Sequence, residues 1–147
     1  MTQVHSDAAR RILVVSHTHR DEAVAATIDV VSALRAAGVT PVFEAQDRSE
    51  FSPHIAPEQT AELGTDVSVE DLEIAIVLGG DGTILRAAEL LRGSECPIVG
   101  VNLGHVGFLA EMESYDLATT IDRVLRRDYT VEERLTIDVQ ATHNGAV

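Results

Sequence analysis

Within five positions, the run Gly79-Gly80-Asp81-Gly82-Thr83 brings together residue types suited to holding phosphate. Glycines without a Cβ let the backbone turn sharply and approach a ligand closely. If the run leads into a helix, the first N–H groups of that helix point at whatever anion sits there, and Thr83 adds a hydroxyl. One turn later Arg86 can fork its guanidinium onto phosphate oxygens. A second glycine-punctuated run, Asn102-Leu103-Gly104-His105-Val106-Gly107-Phe108, offers another close backbone approach, and Phe108 a ring to pack against a base or a nicotinamide. Each feature also has a plainer explanation: a tight strand-to-helix turn with Asp81 as N-cap, Arg86 paired with Glu89 or Glu22, and Phe108 in the core.

The flanking sequence places both runs at the ends of strands. Ile74-Ala-Ile-Val-Leu78 is continuously apolar, as in a central strand covered on both faces, and the stretch Thr83 to Arg92 puts Ile84, Ala87, Ala88 and Leu91 on one helical face closing at Gly93. Pro97 to Val101 reads as the next strand, so two glycine-rich loops would line one crevice. Upstream, Arg11 to Ser16 reads as a buried strand. A helix follows from Asp21, with Val24, Ile28, Val31 and Leu34 inward and Gly38 as its stop. Thr40 to Glu44 reads as a strand with Pro41 at an edge or first position. Gln46 to Gly64 carries loop chemistry, is expected to be mobile, and holds at most one helical turn after Pro57. Thr65 to Val69 is a candidate short strand, and a further helix is expected from an N-cap at Ser114, with Leu117, Ile121, Val124 and Leu125 inward.

Alternating strands and helices predict an α/β fold, a mostly parallel, doubly wound, Rossmann-like sheet flanked by helices. Residues 1–129 would form this domain. From Thr130 the pattern changes: Leu135, Ile137 and Val139 alternate with polar residues, and Asn144-Gly145 is a hairpin signal close to the last residue. Residues 130–147 are therefore expected to be the first strand of a following β-rich domain, and the chain a fragment.

Composition narrows the function. The 147 residues suit one domain with a real core, and 45% are hydrophobic. No apolar run approaches the roughly 20 residues of a membrane helix, and Met1 to Arg11 lacks an apolar signal region, so no membrane partner and a cytoplasmic location are expected. A formal net charge of -13 argues against nucleic acid as a partner. All 11 basic residues are arginine, which excludes a P-loop lysine and leaves backbone N–H groups, a helix N-terminus, a metal ion or arginine to hold phosphate. His17 and His19 have no evident third ligand and read as loop residues, so no metal-ligating set is assigned. His105 reads as a turn residue, and the single Cys96 as a small core hydrophobe.

The run from Gly79 to Ala88, followed by Pro97 to Ala110, resembles the two amino-terminal motifs of bacterial NAD kinases. The first motif is shared with diacylglycerol and sphingosine kinases; the second, at this spacing, points to NAD kinases. The likeness runs from about Arg11 onward, through Glu133-Arg-Leu-Thr136, and omits 46–64. It implies phosphoryl transfer from ATP or inorganic polyphosphate to the 2′-hydroxyl of the adenosine ribose of NAD, giving NADP, with a divalent ion, usually Mg²⁺. Asp81 matches the family's proton acceptor, Gly82 and Arg86 its NAD site, and Gly79, Gly80 and Thr83 its phosphate-cradling loop. Asn102 opens the second motif, and Phe108 matches an aromatic beside the dinucleotide. The resemblance further implies a homo-oligomer, dimer or tetramer, and a β domain completing the pocket, so that this piece alone would turn over little. A lipid kinase domain and a non-catalytic nucleotide-binding module are the alternatives.

Overall fold

The structure, a computed structural model, describes residues 9–103, 112–113, 116–135, 137 and 139–142. Six strands form one parallel sheet: β1 (Arg11–Ser16), β2 (Thr40–Phe43), β3 (Ala61–Glu62), β4 (Ile74–Gly79), β5 (Ile98–Asn102) and β6 (Met112–Glu113), in the order β3-β2-β1-β4-β5-β6. Among the described residues, α1 (Asp21–Ala36), α2 (Ala45–Glu50) and α3 (Asp81–Leu90) connect strands, and α4 (Leu117–Leu125) follows β6. This is the expected doubly wound α/β fold, and the chain reverses its direction of travel across the sheet between β1 and β4.

Strand alternation divides the core in two. Ile12, Val14, Ile74, Ile76, Leu78 and Val101 face α1 and α4, while Leu13, Val15, Ala75 and Val77 face Ala87 and Leu91 on the α3 side. The five residues Ile74 to Leu78 are all buried, as a strand covered on both faces requires. Gly38, at φ 78°, takes the left-handed conformation that stops α1. Pro41 lies in β2 beyond the reach of β3, which pairs only with Val42 and Phe43, so its missing N–H breaks no ladder.

On α1 the expected line holds at Val31 and Leu34, which are buried, and in part at Val24, but not at Ile28, which is 37% exposed; Ala23, Ala26, Thr27 and Val30 complete the inward face. Small residues let the helix lie close to the sheet, and Thr27 is tolerated because its hydroxyl donates to the Ala23 carbonyl at 2.6 Å and lies 2.8 Å from that of Ser16. The fourth helix starts from Asp116 as N-cap rather than from Ser114, and α3 starts two residues before Thr83. Ala88 is exposed there rather than inward. The expected strand at Thr65 to Val69 is a turn joined by a single bridge, Leu63 to Val67, because the β3 pairing falls at Ala61 and Glu62 instead.

The larger correction concerns 46–64. This stretch is not a loose loop: it holds α2, a 3-10 turn at Pro57–Gln59 and β3. Phe51 and Ile55 are 2% and 4% exposed, and the Phe51 ring packs on Phe43 at 5.7 Å between centroids. Arg48 ties α2 down by donating to the Pro57 carbonyl (2.8 Å) and to Thr60 Oγ1 (3.0 Å). Two buried apolar anchors outweigh the turn-forming residues around them.

At the amino ends of the strands, away from the glycine turn, Arg10 donates to both Glu73 carboxylate oxygens (2.9 and 2.6 Å) and to the Leu125 carbonyl at the end of α4 (2.7 Å); Arg127 adds a contact to Glu73 at 2.7 Å. Burial alone would raise the Glu73 carboxyl, but hydrogen bonds from Arg10 and Arg127 outweigh it and hold it below the usual glutamate range. Beyond Thr130, the described residues form no strand, and Leu135, Ile137 and Val139 are 102%, 84% and 83% exposed. An alternating strand needs a neighbour to pair with, and no described strand supplies one. The Asn144-Gly145 turn lies outside the described residues. Among the described residues, no helix is long and apolar enough to cross a membrane.

Because Phe51 anchors a segment whose composition reads as loop, Phe51→Ala should cost about 3–5 kcal/mol in denaturant unfolding. A change of about 0.5 kcal/mol or less, as expected for an exposed loop residue, would contradict this packing.

Candidate active site at the sheet's switch point

The glycine run begins as β4 ends. Gly79 is paired with Asn102 of β5, and the Leu103 N–H donates to the Gly79 carbonyl at 3.2 Å, so the two motif-bearing segments leave the sheet side by side. Gly80 is the N-cap of α3 and its carbonyl accepts from the Thr83 and Ile84 N–H groups, each at 3.1 Å. Asp81 is therefore the first helical residue, not the N-cap, and no side chain caps the helix. The leading N–H groups of α3 consequently point out of the helix end, with a partial positive charge of about half a unit behind them.

The glycines differ in their reasons. A Cβ on Gly79 would lie 2.5 Å from Thr83 Oγ1, so the turn itself demands a glycine there. Cβ atoms on Gly80 or Gly82 would meet nothing within 4 Å among the described residues, and both glycines line a cleft.

That cleft, about 560 Å³, opens at the carboxyl ends of β1, β4 and β5. Of the expected site residues, Gly79, Gly80, Gly82, Thr83, Arg86 and Asn102 line it. Asp81 is half-buried and is not among the residues that line the cleft, although its chain neighbours Gly80 and Gly82 are. Asn102 is 8% exposed at the end of β5. Phe108, with Gly104, His105 and Gly107, lies outside the described residues.

The opposite wall consists of Ser16 to Arg20 after β1, Glu22 and Ala23 on α1, and Gln46, Asp47 and Glu50 on α2; the α2 part was not anticipated. Hydrogen bonds from Thr18 and then Gln46 hold the Glu50 carboxyl below its usual range, joining the β1–α1 loop to α2. His17 and His19 do reach the cleft, with rings 6.0 Å apart, and His19 Nε2 lies 3.9 Å from Glu50. Among the described residues no three His, Cys, Asp or Glu side chains come together as a metal site. Cys96 is half-buried on the α3 side of the core, and burial pushes its thiol up to about 11, so it carries no reactive thiolate.

Arg86 pairs with neither Glu89 nor Glu22. Its Nη2 donates to Asp47 Oδ2 at 3.1 Å and to the Ser16 carbonyl at 3.0 Å, and Nη1 reaches Asp47 Oδ1 at 3.5 Å. Asp47 is 2% exposed, and its carboxyl is raised to about 6: burial does this, and the pull of Arg86 only partly offsets it. A signal for Asp47 existed in the sequence. Asp47, Phe51 and Ile55 recur every four residues, which puts the acid in line with two buried apolar side chains.

A parallel sheet in this strand order, with a glycine turn and a bare helix end opening on its switch-point crevice, defines a Rossmann-like α/β domain of the nucleotide-binding kind. The family model described as "ATP-NAD kinase N-terminal domain" matches residues 12–129. The chain belongs to that family. It is 52% identical over 136 residues to the NAD kinase of Leifsonia xyli subsp. xyli, covering 90% of this chain and 44% of that protein. It is 46% identical over 139 residues to the NAD kinase of Thermobifida fusca, covering 92% and 42%. NAD kinase 2 of Streptomyces coelicolor matches the whole chain at 43% identity, over 48% of its own length. The chain thus spans less than half the length of these relatives. Among solved structures, yeast NADH kinase complexed with NADH shares the fold, with a TM-score of 0.65 at 18% identity over 80% of this chain and 38% of that one. Family membership sets aside the lipid-kinase alternative, which rested on the first motif alone.

Two outcomes follow. Gly79→Ala should destabilise by about 1–3 kcal/mol through overpacking against Thr83, while Gly80→Ala should stay within about 0.5 kcal/mol; equal effects in thermal unfolding would contradict the different surroundings. Asp47 has a folded-state value above its unfolded one, so the folded chain holds more protons between about pH 4 and 6, and this group's contribution falls as pH rises through that window. Relative to Asp47→Asn, the unmodified chain should lose roughly 1–3 kcal/mol between pH 4 and 7. Parallel stability curves would reject this.

Proposed function

We propose that this chain is the nucleotide-binding part of an NAD kinase, which transfers a phosphoryl group from ATP or inorganic polyphosphate to the 2′-hydroxyl of the adenosine ribose of NAD, giving NADP. The observation that supports this is the turn between β4 and α3, whose Gly79, Gly80, Gly82 and Thr83 line the switch-point cleft, with Asp81 between them in the chain as the first residue of α3.

A ribose hydroxyl is a weak nucleophile, and phosphoryl transfer leaves little covalent work for the protein beyond positioning and charge stabilisation. Here the Asp81 carboxylate takes the hydroxyl proton as the phosphoryl group arrives. The N–H groups at the start of α3 and the Thr83 hydroxyl receive phosphate oxygens, Arg86 adds a fixed positive charge, and Asn102 faces the ligand from β5. Gly80 and Gly82 allow the approach, and Phe108 packs beside the dinucleotide. Mg²⁺ characteristically binds through substrate phosphates with one or two carboxylates, which fits a cleft edged by carboxylates but holding no three-ligand set among the described residues. When bound, such an ion neutralises charge developing on the transferred group.

The segment 130–147 begins the second, β-rich domain in this reading. Its exposed Leu135, Ile137 and Val139 pair there, and that domain completes the NAD pocket. The whole enzyme works in the cytoplasm as a homo-oligomer, dimer or tetramer, on small nucleotides rather than nucleic acid or membrane.

In the enzyme that carries this chain, Asp81→Asn should lower kcat for NAD phosphorylation by about 10²- to 10⁴-fold while the thermal unfolding midpoint stays within a few degrees. Retention of more than a tenth of the parental rate by a folded variant would remove Asp81 from its role.

A further inference from the structure

The cleft contains a buried carboxylate that the transfer chemistry does not use. Asp47 is almost fully covered, yet it lines the cleft, and Arg86 is its charged partner. Arg86 stands on an exposed part of α3, beside Leu85 at 60% exposure, and keeps 42% of its own side chain exposed. A long side chain in such a place has many rotamers, and a chain with a formal net charge of -13 offers it many carboxylates. What selects the cleft-facing arrangement is a pair of supports from two different elements: Asp47 on α2, and the Ser16 carbonyl at the end of β1.

The hydrogen-bond pattern adds a second constraint. Asp47 takes the Nη1–Nη2 edge of the guanidinium and Ser16 takes the other Nη2 hydrogen, which leaves Nε–H and one Nη1 hydrogen for anything arriving in the cleft. The arginine is therefore presented in one orientation.

We infer that Asp47 is the positioning residue of the cleft's Arg86: from α2 it clamps the guanidinium against the end of β1 so that the remaining N–H groups meet a nucleotide phosphate held by the Gly79–Thr83 turn. The inference builds on the nucleotide reading above. Two opposing effects meet here, since Asp47 also carries negative charge toward a phosphate site. Orientation prevails, because the carboxylate has its charge matched by the guanidinium it holds, whereas an unclamped Arg86 is drawn to other acids. In Asp47→Asn the amide loses the charge and turns an N–H group toward a cation, so Arg86 leaves the cleft.

The test uses the enzyme that carries this chain, labelled with ¹⁵N-arginine, and two readouts. In the unmodified chain the Arg86 guanidinium should show hindered rotation by NMR, with separate Nη signals at low temperature, and in Asp47→Asn these should average. NAD titrated by calorimetry should bind about tenfold more weakly to Asp47→Asn and to Arg86→Met alike, with no further loss in the double variant. Losses that multiply in the double variant, or an Arg86 still hindered in Asp47→Asn, would overturn the inference. Should Asp47→Asn fail to fold, lowering the unmodified chain from pH 7 to 5 protonates Asp47 in place. The charged and titratable groups around it are Arg86 on α3, Glu44 and Glu50 at the ends of α2, Glu22 on α1, and His17, His19 and Arg20 on the β1–α1 loop. Averaging of the Arg86 signals over that range supports the clamp, and unchanged hindrance overturns it. An immobilised Arg86 in an enzyme that binds no NAD would support the clamp while sinking the nucleotide reading.

Discussion

A parallel sheet whose connections leave in opposite directions from two neighbouring strands must open a crevice between them, because no crossing segment covers their carboxyl ends. In this chain those strands are β1 and β4, and everything with chemical potential collects there. The β4–α3 turn supplies a helix end without a side-chain cap, and β1 supplies the loop that faces it. The crevice follows from strand order alone; its chemistry follows from which residues the turns carry.

Charge is the second constraint. A chain without lysine and with a large excess of acid has few cations to offer an anionic ligand, so in the proposed reading the partial charges of the backbone carry much of that work. Arg86 supplements them, and its hold on Asp47 shows how an acidic protein keeps a guanidinium in place. A fully buried carboxylate is costly unless paired, so Asp47 and Arg86 depend on each other.

The fold separates this polar end of the sheet from a different one. Around the amino ends of the strands, Arg10, Glu73 and Arg127 tie β1, the approach to β4 and the end of α4 together. That knot lies far along the strands from the glycine turn, so the packing that stabilises the domain and the residues placed to act are carried by opposite ends of the same β-strands. The same division appears around α2: Phe51 and Ile55, just after the helix, seal one side of the core, while Asp47 within it lines the cleft.

Much of this was legible in the residue pattern. The continuous apolar run of β4, the glycine turn after it, the helix that follows and the neighbouring strand ending at Asn102 are all local signals, set by side-chain periodicity and backbone freedom within a few positions. The segment 46–64 was not legible, because Pro, Ser and Asp signal turns whether or not two apolar side chains nearby find a core, and only the contact with Phe43 and the sheet decides that. The buried face of α1 was misjudged for a related reason: apolar size suggested Ile28, while close helix–sheet contact selected Ala23 and Thr27. The pairing of Arg86 with Asp47 joins residues 39 positions apart. Sequence by itself determined the glycine turn and the strands and helix around it, since these depend on near neighbours. Which acid meets which arginine was decided by the tertiary structure, because it depends on where strand order brings distant segments together.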